Sequence, residues 1–125
     1  MARRSFRRVV ITGAASGIGR SFARTLADQG CALGLIDVAA ELLRVTAGEM
    51  GDTAPTLCTR VVDVSQRSAV GVAISSLADE LGGIDLLIHC AAALFPGRFL
   101  DQSPADFERA IAIDLVGPAK GIPLA

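Results

Sequence analysis

The sequence predicts an α/β fold, a doubly wound parallel sheet with helices on both faces. Three observations carry that expectation. Short apolar runs alternate with segments whose apolar residues recur at helical spacing, in the order βαβαβαβα. Three glycines, Gly13, Gly17 and Gly19, stand between the first run and the first helical segment. The hydrophobic content, 51% with a mean hydropathy of +0.50, suits strands buried on both faces. Right-handed crossovers and a reversal of strand order at the first glycine turn give the sheet order 3-2-1-4.

The first strand is expected over residues 7–12, an apolar run that reaches Thr12. A helix follows near 17–29, with Ile18, Phe22 and Leu26 at helical spacing and Gly30 suited to the left-handed position that closes a helix. The next apolar run, 32–36, stops at Asp37. Residues 39–50 make the second helix, with Leu42, Leu43 and Val45 on its apolar side and Gly51 near its end. A proline-containing loop over 53–56 leads to the third strand, 57–62, which runs into Asp63 and Val64. Ser65 is placed to cap the third helix. The stripe Val70, Ile74, Leu77 and Leu81 can lie on a sheet, and Gly82 and Gly83 end that helix. The fourth strand spans 84–90 and opens onto three alanines. Ser103, Pro104 and Asp106 then mark a helix start by cap, first-turn proline and third-position acid. Phe107, Ile111 and Leu115 continue on one face of it, until Gly117, Pro118, Gly121 and Pro123 degrade the helix.

At 125 residues the chain fits one domain, without an internal repeat, a low-complexity segment or a linker. A net charge of −1 gives no overall pull toward nucleic acid or an anionic membrane. No apolar run approaches the roughly 20 residues that span a bilayer. Arg3, Arg4, Arg7 and Arg8 form one basic cluster with no apolar segment or cleavage site behind it, so a solvated N-terminal tail is expected. Cys31, Cys58 and Cys90 are odd in number and widely spaced. They point to buried thiols in a reducing, cytoplasmic setting. His89, the single histidine, has no second ligand at helical or turn spacing, and no metal site is expected.

The chemistry concentrates at residues 9–19. Strand, glycine turn and helix in succession are the context in which glycines become evidence for a dinucleotide site. Without a Cβ the backbone can turn sharply, let a pyrophosphate approach and pack the helix close to the strand. The first turn of the helix then offers unpaired N–H groups and a partial positive charge to the phosphates. Asp37 comes about 20 residues later, where a carboxylate can accept both hydroxyls of a ribose and repel a 2′-phosphate. The plainer alternative is an Asp that ends a strand by forming a turn.

With Thr12 ahead of the glycines, residues 12–19 read T-G-x-x-x-G-x-G. This stretch resembles the fingerprint of the short-chain dehydrogenase/reductase family, and the likeness extends along the whole chain. It implies one Rossmann-like, NAD(P)-binding domain over residues 1–125, incomplete relative to the family. In that domain Gly13, Ser16, Gly17, Ile18 and Gly19 meet the cofactor. Asp37 matches the acid of family members that use NAD rather than NADP. Asp63 and Val64 match the pair after the third strand, where the Asp meets the adenine amino group and the next residue contacts it through its backbone. Residues 84–92 lie where the family has an apolar strand ending in Asn-Asn-Ala-Gly, of which only Ala91 agrees. His89 and Cys90 replace asparagines that brace the sheet centre, and Ala92 replaces a glycine beside the cofactor.

The departures are chemical. The family works with Ser, Tyr and Lys, the last two spaced Y-x-x-x-K, aided by an Asn in the fourth helix. This chain has no tyrosine, and Val116 stands four residues before its one lysine, Lys120. Asp114 takes the Asn position, and a carboxylate cannot donate amide hydrogen bonds. No catalytic residue is therefore assigned. The resemblance implies the cofactor-binding portion of an NAD-dependent oxidoreductase acting on a small-molecule alcohol or ketone, cut before its catalytic part. The alternatives are an inactive nucleotide-binding or interaction module, or a truncated product without function. Because the fourth strand would present an unpaired apolar edge, self-association or a partner chain is expected.

Overall fold

In the computed structural model, residues 6–15 and 17–90 are described. They form β1 (Arg8–Thr12), α1 (Gly17–Asp28), β2 (Ala32–Asp37), α2 (Ala40–Met50), β3 (Leu57–Val61), α3 (Arg67–Leu81) and β4 (Leu86–His89). The strands make one parallel sheet in the order β3-β2-β1-β4, as the alternation and the crossovers require. Ser16, Ala91 and the helix expected after Ser103 lie outside the described residues.

Successive residues of a strand point to opposite faces, and here both faces are covered. Val9, Ile11, Leu33 and Leu35 pack beneath α1 and α2 with Ala23, Ala27, Leu43 and Met50. Val10 and Ile36 pack beneath α3 with Val70, Ala73, Leu77 and Leu81. Gly34 lies on the α3 side, where a Cβ would stand 3.1 Å from a Leu77 methyl. Leu77 therefore fills the space where the sheet has no side chain. Gly30 (φ 83°) and Gly82 (φ 77°) close α1 and α3 in the left-handed conformation.

Several expectations are corrected. In α1 the residues against the sheet are Gly19, Ala23 and Ala27, while Ile18 is 71% and Phe22 43% exposed. A row of small residues lets the helix approach the sheet closely, and this outweighs burying the larger stripe; Leu26 alone of the expected three packs on the core. In α2 the buried face is Leu43, Thr46 and Met50; Leu42 and Val45 are exposed. The N-cap of α3 is Gln66, which makes no side-chain capping bond. Ser65 is instead held by Asp63, whose Oδ1 accepts the Ser65 N–H at 3.0 Å and its hydroxyl at 2.8 Å.

Nor does Arg8 belong to a solvated tail. The backbone N–H groups of Arg7 and Arg8 donate to Asp85 Oδ2 at 3.1 and 3.0 Å. The Arg8 guanidinium pairs with Asp85 Oδ1 at 2.8 Å and donates to the Gly82 carbonyl. This clasp fastens the start of β1 to the approach of β4, at the end of the sheet opposite the glycine turn. β4 is shorter than the expected 84–90, yet parallel bonding continues past both ends, from Asp85 N–H to the Arg8 carbonyl (2.8 Å) and from Cys90 N–H to the Thr12 carbonyl (3.0 Å). Among the described residues no helix is long and apolar enough to cross a membrane.

Candidate functional site

Parallel pairing sets Thr12 beside Ile36, so the turn after β1 and the Asp that ends β2 leave the sheet side by side. Gly13 (φ 66°) and Gly17 (φ 57°) adopt left-handed backbone, which allows the chain to reverse between β1 and the first turn of α1. Gly19 is needed for a different reason. A Cβ there would lie 2.0 Å from the carbonyl oxygen of Gly13 and 2.8 Å from its carbon. The first turn of α1 thus rests directly on the backbone that follows β1, with Ile18 turned outward beside it.

Two alanines of the turn, Ala14 and Ala15, are buried, and both N–H groups and the Ala15 carbonyl are hydrogen-bonded. The Ala14 N–H donates to the Ile36 carbonyl at 3.2 Å. The Ala15 N–H donates to Asp37 Oδ2 at 3.0 Å, and the Ala15 carbonyl accepts the Thr46 hydroxyl at 3.3 Å. Asp37 Oδ1 takes the Ala39 N–H at 2.9 Å, an Asx turn into α2. Asp37 therefore is a turn former, and it also stands against the glycine turn. A carboxylate offers about four acceptor positions, of which these two N–H groups take two. Val38, the next residue, is 57% exposed and brings no positive charge to this corner.

Asp63 and Val64 follow β3, reached through the Val62 N–H, which donates to the Asp37 carbonyl at 3.0 Å. The side chain of Val64 is buried in the α3-side core, leaving its backbone as the part that a ligand could meet. At the sheet centre Thr12 Oγ1 and His89 Nδ1 are 2.7 Å apart. That bond joins the ends of β1 and β4, the strands between which the order reverses. His89 thus braces the centre with a ring nitrogen, at the position where the resemblance has an asparagine.

Among the described residues the ionisable groups around the turn are engaged or distant. Arg20 and Arg24 of α1 both pair with Glu49 of α2, Arg24 at 3.0 Å, which holds the Glu49 carboxyl below its ordinary range. Burial, reinforced by a hydrogen bond to Glu80, pushes the Cys58 thiol up to about 11. Burial raises Cys90 as well. These thiols are poor nucleophiles. Among the described residues no three His, Cys, Asp or Glu side chains gather to hold a metal ion.

Of the expected site residues, the structure brings Gly13, Gly17, Ile18, Gly19 and Asp37 to one corner and places Asp63 and Val64 after the neighbouring strand. Thr46 escaped the sequence reading because a threonine in a helix looks like solvent-facing filler. Its spacing, three residues after Leu43 and four before Met50, is the signal that marks it as buried.

The sequence profile of the short chain dehydrogenase family matches residues 7–124. A sorbitol dehydrogenase from Cereibacter sphaeroides is 32% identical over 108 residues, covering 86% of this chain and 41% of the relative. A short-chain dehydrogenase/reductase from Brucella melitensis, described as a glucose/ribitol dehydrogenase, superposes with a TM-score of 0.85 at 32% identity, over 92% of this chain and 46% of that one. A 3-ketoacyl-(acyl-carrier-protein) reductase from the same organism, solved with NADH, shares the fold with a TM-score of 0.83 at 24% identity, over 92% and 47%. The chain spans less than half the length of these proteins.

Proposed function

The chain belongs to the short chain dehydrogenase family, and from that premise we propose that it is the dinucleotide-binding portion of an oxidoreductase that uses NAD. The observation that carries this reading is the contact between Asp37 and the glycine turn, with its carboxylate oxygen 3.0 Å from the Ala15 nitrogen. An acid held there meets the ribose of any nucleotide whose phosphates sit on the turn, and its charge repels a 2′-phosphate. Gly13, Ser16, Gly17, Ile18 and Gly19 would hold the pyrophosphate and its surroundings. Asp63, the backbone of Val64 and Ala91 would hold the adenine side and the neighbouring edge. The space denied to any Cβ at Gly19 supports this fit, because it brings the helix N-terminus down onto the turn.

When bound, the nicotinamide accepts or gives up hydride. This stretch of chain contributes binding and orientation to that exchange. It has no tyrosine to serve as the proton donor the family resemblance calls for, and its Asp114 and Lys120 lie outside the described residues. The substrate class that accompanies the reading is a small-molecule alcohol or ketone. It includes association through β4, an edge of the sheet among the described residues, with a second copy or a partner chain.

Titration calorimetry with NAD and NADP tests the cofactor assignment. NAD is expected to bind at least about tenfold more tightly, the worth of roughly 1.4 kcal/mol of repulsion and lost hydroxyl bonding. Asp37→Asn should narrow that ratio. Equal or tighter binding of NADP by the unaltered protein would overturn the assignment.

A further inference from the structure

We propose that Thr46 of α2 is a positioning residue for the nucleotide, acting through the carbonyl of Ala15. This deepens the NAD-binding reading and rests on it. The argument begins with the two polar groups of Ala15. The residue is 1% exposed, so neither its N–H nor its C=O can rely on water. Each is met by a side chain from a different element, the N–H by Asp37 at the end of β2 and the C=O by the Thr46 hydroxyl. The backbone bond from Ala14 to Ile36 adds a third tie. The orientation of the glycine turn is therefore fixed from the β2–α2 side before any ligand arrives.

Thr46 is itself fully buried, in the row of α2 that also buries Leu43 and Met50. A hydroxyl at that point costs desolvation unless it has a partner, and its partner is the turn. Thr46 and Asp37 thus hold Ala15 from its two sides. Asp37 has to keep its place against the turn while offering its remaining acceptor positions to a ribose. With the Ala15 carbonyl anchored by Thr46, the turn does not follow the carboxylate when a ligand draws on it. Loss of the hydroxyl should loosen the turn and weaken nucleotide binding, and only secondarily lower global stability.

The experiment compares NAD binding by calorimetry in the full chain carrying Thr46→Val, Thr46→Ser or Leu43→Ala, with amide hydrogen exchange at Ala14 and Ala15 as a ligand-free readout. Thr46→Val keeps shape and removes the donor, and is expected to weaken NAD binding by about three- to tenfold, the range of one net buried hydrogen bond. It should also speed exchange at Ala15. Thr46→Ser keeps the donor and should restore both. Leu43→Ala should lose stability while leaving affinity near that of the unaltered protein. If Thr46→Val does not fold, Thr46→Cys, with its weaker donor, should give intermediate affinity and exchange. Serine binding as poorly as valine, or valine (or cysteine) behaving as threonine does, would overturn the proposal. If the unaltered protein bound neither NAD nor NADP, the functional reading would fall. The exchange rates would still decide whether Thr46 fixes the turn.

Discussion

Gly17 and Gly19 stand two residues apart and are glycine for different reasons. Gly17 has a φ of 57° and open space where its side chain would be, so alanine there bears only the strain of left-handed backbone, about 1–2 kcal/mol. Gly19 has ordinary helical backbone, but its Cβ would strike the Gly13 carbonyl, and backbone cannot step aside as a side chain can. Gly19→Ala is expected to cost roughly 3 kcal/mol and to lift α1 from the turn. Urea denaturation of the two variants checks this. A smaller loss for Gly19→Ala than for Gly17→Ala would show that the close approach is dispensable. The spacing of the glycines was legible in the sequence. Which of them answers to φ and which to crowding was not, because crowding depends on the distance between a helix and a strand end.

Between elements, the clasp at the start of β1 makes a prediction about acid. Hydrogen bonding from the Arg8 side chain, then from the Arg7 N–H, outweighs burial and lowers the Asp85 carboxyl from 3.8 to about 2. A folded-state value below the unfolded one means stabilisation that is complete above the ordinary 3.8 and lost as pH falls through about 2. The urea midpoint should therefore drop more steeply between those values in the unaltered protein than in Asp85→Asn. Glu41, Glu49 and Glu80 are also held below their ordinary range by arginines (Glu80 first by Cys58), so both proteins lose stability in acid and the difference isolates Asp85. Parallel pH profiles would remove the clasp from the account of β1–β4 pairing. In sequence, Arg8 read as one of four arginines in a tail. Only the pairing of Val9 with Leu86 brings it beside Asp85.

For the molecule as a whole, the expected outcome follows from the sheet order. β3 and β4 are the edges among the described residues. β4 carries Leu86, Leu87 and Ile88 with no charge, proline or bulge between Asp85 and His89 to discourage a further strand. Leu86 and Ile88 join the core under α1, and Leu87 joins the core under α3, so a strand added to that edge would extend both cores. The chain by itself is expected to self-associate, and light scattering on dilute protein eluting from a sizing column measures it. A stable monomer would show that the edge is covered within the chain.

The sequence by itself determined the order of the seven described elements, the parallel sheet and its 3-2-1-4 order, and the corner where glycines and an acid gather. Each of these depends on local pattern: period, turn residues and the handedness of a crossover. It misjudged which face of α1 and α2 is buried, because two stripes of each helix satisfy the same period. The sheet chooses between them by how near the helix can come. Small residues won in α1, and a row containing one hydroxyl won in α2. The tertiary structure alone decided the partners across the chain: Thr12 with His89, Arg8 with Asp85, Thr46 with Ala15. The residues of these pairs lie 77, 77 and 31 positions apart, and no local pattern records such contacts. They exist because parallel strands and the helices packed on them bring distant residues into register.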